Sequence, residues 1–389
     1  MDKNQTIGEL LSRAVAEVID RKHLETALLS GKKLRVKLGI DPTGAKLHLG
    51  HAVVLRILRR FQDLGHTAVL IIGDTTASIG DPSGKIETRP ALTAEDIKKN
   101  FETYERQALR ILKKEQLEVH WQSEWFKDFN LSEVIREASK LSAGWILSHE
   151  TFRNRLKEGL PLALHELLYP LVQSYDSVAV KADVELGGMD QKFNLLTGRE
   201  LMNAHSMAPQ DVVLAKYLIG TDGQKMGKTL GNFIALEDEP NEMFGKVMAL
   251  VDEVIFDYFE FATNVGMDVI EKLKKELQGG ANPRDIKKRL ASEIVTLYHG
   301  ASAAEKAQAE WEQVFSHKEK PSEIPEYSVQ AVNIVDVLVE TGLATSRSEA
   351  RRLIEQNGVS IDDEPAKLSS LVHKNCIIQV GKRKFAKIK

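Results

Sequence analysis

One cysteine, Cys376, stands in 389 residues, which excludes an intrachain disulfide and any cysteine-cluster zinc site. No apolar run approaches the roughly 20 residues that span a bilayer. The first stretch, MDKNQTIGELLSRAVAEVID, is charged and lacks the apolar core of a signal peptide. These absences predict a cytoplasmic protein with no membrane partner. The net charge of −3 gives no global excess of one sign to advertise nucleic acid. Internal repeats, low-complexity tracts and a phosphate-cradling P-loop are missing as well. What is there is a globular composition, 42% hydrophobic and 28% charged, in a chain long enough for two or three domains.

Residues 35–40 read as a buried strand, 48–64 as a helix and 67–74 as a second buried strand. Apolar strands without alternation, joined through a helix, signal a parallel sheet covered on both faces. Such a sheet binds ligands at the carboxyl ends of its strands. Helical patterns dominate from Ala94 to Asp176, and VAVKADVELGG, 178–188, alternates as a strand does. Residues 237–317 are mostly helical by pattern, with Asn282 as a cap, Pro283 in the first turn and Gly300 at the end of one helix. The segment 317–327 carries two prolines and mixed charge and reads as a linker. A small αβ unit, 332–389, follows.

Two short motifs carry charge chemistry. HLGH places His48 and His51 on one face of the first turn of a helix that begins at the end of a strand. There the free N–H groups and the positive end of the helix dipole favour phosphate, and Gly50 leaves room for a flat base against the backbone. Taken alone, either histidine also fits as a core side chain with its partners satisfied. KMGKT, Lys225–Thr229, sits in a loop between Gly223 and Gly231. Its two lysines suit a polyphosphate whose charge shifts during reaction, or simply a solvated surface.

Tyr169, Gln173 and Asp176 fall at i, i+4 and i+7, one stripe of a helix that is apolar nearly all round. A phenol, an amide and a carboxylate on a buried helix need partners, and no sequence neighbour supplies them, so a polar ligand is the better explanation. Toward the C-terminus, TSRSEARRLIEQNG offers Ser346 and Glu349 as a capping box, Gly358 as a stop, and a row of Arg347, Arg351 and Arg352. From Lys374 onward the chain has six basic residues and no acid, among them Lys382 and Lys384. That combination suits the phosphate backbone of folded RNA, although each part alone also fits a solvated face.

HLGH and KMGKT together, with GIDPTGAKLHLGH, IGDPSGK, YPLVQSYD and ELGGMDQKFN in that order, resemble the bacterial tyrosyl-tRNA synthetases of class I over essentially the whole chain. The resemblance implies an α/β fold: a Rossmann-like parallel-sheet catalytic domain over 1–234, an α-helical anticodon-recognition domain over 235–318, a linker over 319–331, and a small αβ RNA-binding domain over 332–389. It implies a homodimer, to which the apolar segments between 120 and 165 add weak support. L-tyrosine, ATP with its Mg2+, and tRNA(Tyr) are the implied partners, and no metal is held by the protein itself.

By the same resemblance, Asp176 accepts a hydrogen bond from the tyrosine hydroxyl. Tyr169, Gln173 and Asp81 receive the α-ammonium with help from Thr76, Gln191 lies near the carboxylate, and Gly39 belongs to this pocket. Asp190 and Gly188 contact the ribose, and Asp41, Gly50 and Met226 lie on the ATP side. Thr43, His48 and His51 hold phosphate, while Lys225, Lys228, Thr229, Lys85 and Arg89 attend the departing pyrophosphate. Lys37 departs from the family pattern. It stands where a hydroxyl-reading tyrosine often sits, and it either pairs with Asp176 or points away. The implied chemistry has two steps, adenylation and transfer, and rests on positioning and charge rather than on a protein nucleophile.

Overall fold

The segments RVKLGI and TAVLII are adjacent parallel strands in the computed structural model, which describes residues 3–42, 46–83, 93–227, 231–316, 324–329, 331–381 and 384–389. The chain divides into two compact units, Met1–Ala304 and Glu305–Lys389. The first is built on six strands: β1 (Val15–Ile19), β2 (Arg35–Ile40), β3 (Thr67–Ile72), β4 (Leu117–Trp121), β5 (Val184–Gly188) and β6 (Asp211–Ala215). They lie in the order β1-β6-β5-β2-β3-β4. All neighbours are parallel except β1, which runs antiparallel to β6 and closes that edge. Every residue of β3 and of β6 is buried, as expected for strands with both faces covered.

The sheet grows outward in both directions from the β2/β5 pair. Strand β2 leads to β3 and β4 on one side, and β5 leads to β6 on the other. That reversal is a topological switch point, and it opens a crevice above the carboxyl ends of β2 and β5. A 15-residue helix, Leu49–Asp63, links β2 to β3, and a second, Tyr169–Val180, packs beside the crevice.

Where pattern and structure part, local forces explain the difference. The VAV of 178–180 does not open a strand. It ends the Tyr169–Val180 helix, which stops at Lys181 in a left-handed conformation (φ 51), and β5 begins only at Val184. Strand β4 interrupts the stretch 94–176 that reads as helical; it is a five-residue edge strand with no fully buried position to mark it. From Pro240 to His299 the unit is helical, with helices Pro240–Met248, Ile255–Ala262, Met267–Gln278 and Pro283–His299. The Asn282 side chain accepts from the Arg284 N–H at 3.0 Å, and Gly300 turns the chain with φ +88.

The second unit wraps two helices, Ile334–Glu340 and Arg347–Glu355, against a five-stranded sheet. Its core holds Ile334, Leu338, Ala350, Ile354, Ile378 and Ala386, with Cys376 fully buried among them. Glu326 and Tyr327 lie inside the stretch that reads as linker, yet they form β7, parallel to the last strand, Lys384–Ile388. The partners are Glu326, which pairs with both Lys387 and Lys389, and the backbone of that strand.

Candidate active site

The turn after β2 delivers the HLGH segment to the crevice. His48 keeps an extended backbone and caps the helix, which starts at Leu49. Its N–H donates to His51 Nδ1 at 3.3 Å, and the two rings lie 3.9 Å apart. The following turn is clamped from far along the chain. The Leu49 N–H donates to the Ile234 carbonyl at 2.9 Å, the Leu236 N–H donates to the Leu47 carbonyl at 3.0 Å, and His48 bridges to Ala235. Gly50 packs closely against the cap: a Cβ would stand 3.0 Å from two atoms of the His48 ring, so the ring would have to give way. The Gly50 N–H faces Met226 Sδ at 3.3 Å, so HLGH and KMGKT are in direct contact.

Hydrogen bonds to the buried Asn232 hold the described part of KMGKT. Its Oδ1 accepts from the Gly227 N–H at 2.8 Å, and its Nδ2 donates to the Lys225 carbonyl at 3.2 Å and to Asp222 Oδ1 at 2.6 Å. Gly223 and Gly231, at φ +81 and +65, frame the loop. Lys225 Nζ lies 3.1 Å from Asp190 Oδ2 and 3.8 Å from the centre of the Tyr217 ring, a cation–π contact. Thr43, Lys85, Arg89, Lys228 and Thr229 lie outside the described residues.

The polar stripe of the Tyr169–Val180 helix is buried, with Tyr169, Gln173 and Asp176 all turned to the crevice. Tyr169 Oη donates to Asp41 Oδ2 at 2.9 Å, and Thr76 Oγ1 reaches Asp41 Oδ1 at 2.7 Å. The Asp41 carboxylate is therefore held by Tyr169 and Thr76 together. Gly73 makes that approach possible, because a Cβ there would fall 2.1 Å from Asp41 Oδ1. Asp176 is gripped through both oxygens: Gln122 Nε2 donates to Oδ2 at 2.8 Å and Trp125 Nε1 to Oδ1 at 3.2 Å. Gln122 Oε1 in turn accepts from the Thr76 N–H at 2.9 Å. On the opposite wall, Gln191 Nε2 donates to Asp81 Oδ2 at 2.8 Å.

Electrostatics follow from burial. It pushes the Asp176 carboxyl up to about 7 against the opposing pull of Lys37 and Gln122. It also raises Asp81, and it lifts the Tyr169 phenol well above its ordinary range with help from Asp41 and Asp81. The Gln173 Oε1 atom is buried with no hydrogen-bond partner among the described residues. An orphaned amide oxygen facing a polar crevice is a place where a ligand donor belongs. The pocket encloses about 360 Å³, and it is lined by Gly39, Asp41, His48, Gly50, His51, Thr76, Asp81, Tyr169, Gln173, Asp176, Gly188, Asp190, Gln191, Lys225 and Met226. Every described residue that the sequence nominated for the adenylate site thus meets in one cavity. One end has convergent carboxylates for a cationic, hydroxyl-bearing ligand, and the other has a helix terminus, histidines and a lysine for phosphate.

Comparison with known proteins identifies the family. Residues 29–316 match the family model of class I tRNA synthetases (W and Y), and residues 332–378 match the S4 domain. The tyrosine--tRNA ligase of Dehalococcoides mccartyi (strain ATCC BAA-2266 / KCTC 15142 / 195) is 47% identical over 389 residues, covering 98% of each chain. This chain belongs to the class I tyrosyl-tRNA synthetases. The tyrosine--tRNA ligase of Thermotoga maritima is likewise 47% identical, over 98% of this chain and 96% of its own. At the level of fold, a C-terminally truncated mitochondrial tyrosyl-tRNA synthetase of Aspergillus nidulans superposes with a TM-score of 0.68 at 20% identity, over 80% of this chain and 94% of that one.

Sequence reasoning missed several residues that line or brace this synthetase's pocket. Gln122 and Trp125 follow β4, and reading LEVHW as a parallel strand would have drawn attention to whatever came after it. Asn232 and Tyr217 carry no motif signal of their own. Lys37 resolves cleanly: its ammonium pairs with Glu185 Oε1 at 2.8 Å and not with Asp176.

In the S4 unit of the synthetase, Arg347, Arg351 and Arg352 are exposed on one short helix. Ser346 Oγ accepts from the Glu349 N–H at 3.2 Å, while the Glu349 carboxylate takes the Thr345 N–H at 2.7 Å rather than closing the box on Ser346. Asn357, at φ +56, makes the left-handed stop expected of Gly358, whose N–H returns to the Leu353 carbonyl at 2.8 Å. Arg347 is paired with Asp336 at 2.7 Å, and Lys384 Nζ lies 3.5 Å from the Leu343 carbonyl. The lysine-rich end is partly neutralised by Glu326, an acid from outside the tail. Lys382 lies outside the described residues.

Proposed function

We infer that this synthetase activates L-tyrosine with ATP and passes the tyrosyl group to the 3′ end of tRNA(Tyr). In the first step the tyrosine carboxylate attacks the α-phosphate of ATP in line, and pyrophosphate leaves. Asp176 accepts the phenol hydrogen bond, and Tyr169, Gln173 and Asp81 receive the α-ammonium, with Thr76 and Gly39 completing that side, Gln191 near the carboxylate and Asp41 on the ATP side. Asp190 and Gly188 take the ribose, and Gly50 and Met226 the base. Thr43, His48 and His51 with the Leu49–Asp63 helix terminus take phosphate charge, and Lys225, Lys228, Thr229, Lys85 and Arg89 follow the pyrophosphate. Mg2+ enters as part of the ATP substrate. The observation that carries the tyrosine reading is the double grip on Asp176 by Gln122 and Trp125 at the base of the pocket.

The same reading gives residues 1–234 to catalysis, 235–318 to anticodon recognition and 332–389 to RNA binding, joined through 319–331. In the last of these, Arg347, Arg351, Arg352, Lys382 and Lys384 contact phosphate. It also places a second copy of the chain on the apolar face near Leu131, Ile135 and Leu164, which are 74%, 60% and 77% exposed. The enzyme works in the cytoplasm, and no described helix is long and apolar enough to cross a membrane. ATP–pyrophosphate exchange measured against each amino acid in turn tests the reading. Tyrosine alone is expected to drive it; equal exchange with tryptophan or leucine would overturn the assignment.

A further inference from the structure

Lys37 is the one charged residue in the middle of the apolar strand β2, and it is fully buried. Its ammonium has three partners: Glu185 Oε1 at 2.8 Å, Ser177 Oγ at 2.8 Å and the Gln173 carbonyl at 3.2 Å. Two of its hydrogen bonds go to Ser177 and Gln173 and its charge faces Glu185 as an ion pair, so the ammonium is committed to these groups. Ser177 and Gln173 flank Asp176 on the same helix, and Ser177 also donates to Glu185 Oε2 at 3.2 Å. Gln210 from before β6 donates to the same Glu185 oxygen. The lysine, its counter-carboxylate and the turn that carries Asp176 form one locked unit beneath the substrate.

As a device for stability this pair is a poor choice. Two charges buried together lose much of their attraction to desolvation, and an apolar pair of similar volume often does as well or better. The groups around Asp176 suggest another role. Gln122 and Trp125 hold it from the β4 side, Glu185 faces it from β5, and Asp41 and Asp81 lie further along the pocket near Tyr169. Lys37 is the cation acting most strongly on Asp176, and burial and the neighbouring Glu185 both oppose the ionised form.

We propose that Lys37, locked to Glu185 beneath the pocket, is a positioning residue for hydroxyl recognition: its buried charge keeps Asp176 a carboxylate, able to accept a hydrogen bond from the substrate phenol. This rests on the tyrosine reading above. In a pocket without that charge, Asp176 takes up a proton at higher pH and loses the charge-assisted bond that separates tyrosine from phenylalanine.

The test uses the full-length enzyme and its Lys37→Met, Glu185→Gln and doubly substituted forms, with kcat/KM for tyrosine and phenylalanine in ATP–pyrophosphate exchange from about pH 5.5 to about pH 8.5. For wild type, kcat/KM for tyrosine rises as Asp176 ionises. Lys37→Met is expected to move the midpoint of that rise up by about one pH unit or more, cutting tyrosine preference roughly tenfold near neutrality and less at the alkaline end. Glu185→Gln is expected to move the midpoint down, and the double form to return toward wild type. A folded Lys37→Met enzyme with an unmoved midpoint, or with a loss equal at every pH, overturns the proposal and leaves Lys37 a packing residue. Should Lys37→Met fail to fold, Glu185→Gln decides, and an unmoved midpoint in that form has the same meaning. Absence of tyrosine-driven exchange in wild type would instead refute the parent reading.

Discussion

Gln122 Nε2 donates to Asp176 Oδ2 at 2.8 Å, while the Oε1 of the same amide accepts from the Thr76 N–H at 2.9 Å. One side chain thus ties the loops after β3 and β4 to the Tyr169–Val180 helix. Gln122→Leu is expected to raise KM for tyrosine by about 10- to 100-fold, because a hydrogen bond to a charged group contributes roughly 1.5–3 kcal/mol. The affinity for ATP should hardly change. Steady-state exchange kinetics with each substrate varied separately check this, and an equal loss for both would point to general disruption of the fold.

Asp176 also carries a stability consequence. Its folded-state carboxyl is raised by burial from 3.8 to about 7, so the folded chain binds more protons than the unfolded chain between those values. Stability therefore falls as pH rises through that window, and the burden is fully present above about pH 7. Asp176→Asn removes it. The melting midpoint of the variant should exceed that of wild type by a few degrees at pH 8, on the order of 2–4 °C, with a smaller gap at pH 5. Discrimination against phenylalanine should be lost in the same variant. Thermal melts at the two pH values decide, and a gap that shrinks toward high pH contradicts the sign.

Two glycines should fail in different ways. An alanine at Gly50 presses its Cβ against the His48 ring, whereas one at Gly73 collides with Asp41 Oδ1 and Thr76 Oγ1. Gly50→Ala is expected to slow adenylate formation by about 10²-fold with tyrosine binding intact, as displacement of a catalytic group by an ångström can do. Gly73→Ala should abolish tyrosine binding. Equilibrium dialysis with labelled tyrosine, paired with single-turnover adenylation, separates the two.

His48→Ala and Lys228→Ala are expected to raise the barrier to adenylation by on the order of 2–4 kcal/mol each while leaving tyrosine affinity near wild type. Parallel loss of rate and affinity would show instead that they hold structure.

Deletion of 332–389 should spare tyrosine activation and impair tRNA charging, since every proposed adenylate-site residue lies between Gly39 and Thr229. Charging by the intact enzyme should fall more steeply with salt than activation does. Both reactions measured across a salt series, with and without the deletion, provide the check.

Much of this site is readable in sequence because its chemistry is local. HLGH needs only a strand end and a helix start, and the Tyr169, Gln173 and Asp176 stripe needs only helical period. The parts that hide are those made by tertiary contact. Strand β4 is short, lies at the sheet edge and has no fully buried residue, so nothing in LEVHW separates it from the helices around it, and Gln122 and Trp125 disappear with it. The partner of Lys37 lies 148 residues along the chain, since Glu185 comes from β5, and only the strand order brings it close. Lys181 ends its helix by backbone handedness, a property that alternation in VAVKADV conceals.

The clamp of residues 234–236 onto 47–49 bears on how the protein is made. A ribosome that has released the chain through Gln191 has delivered the proposed amino-acid-side ligands, yet the segment that seats His48 is still unsynthesised. The phosphate end of the crevice is therefore assembled late in translation. A nascent chain stalled before Ile234 would be equipped to hold tyrosine before it was equipped to consume ATP.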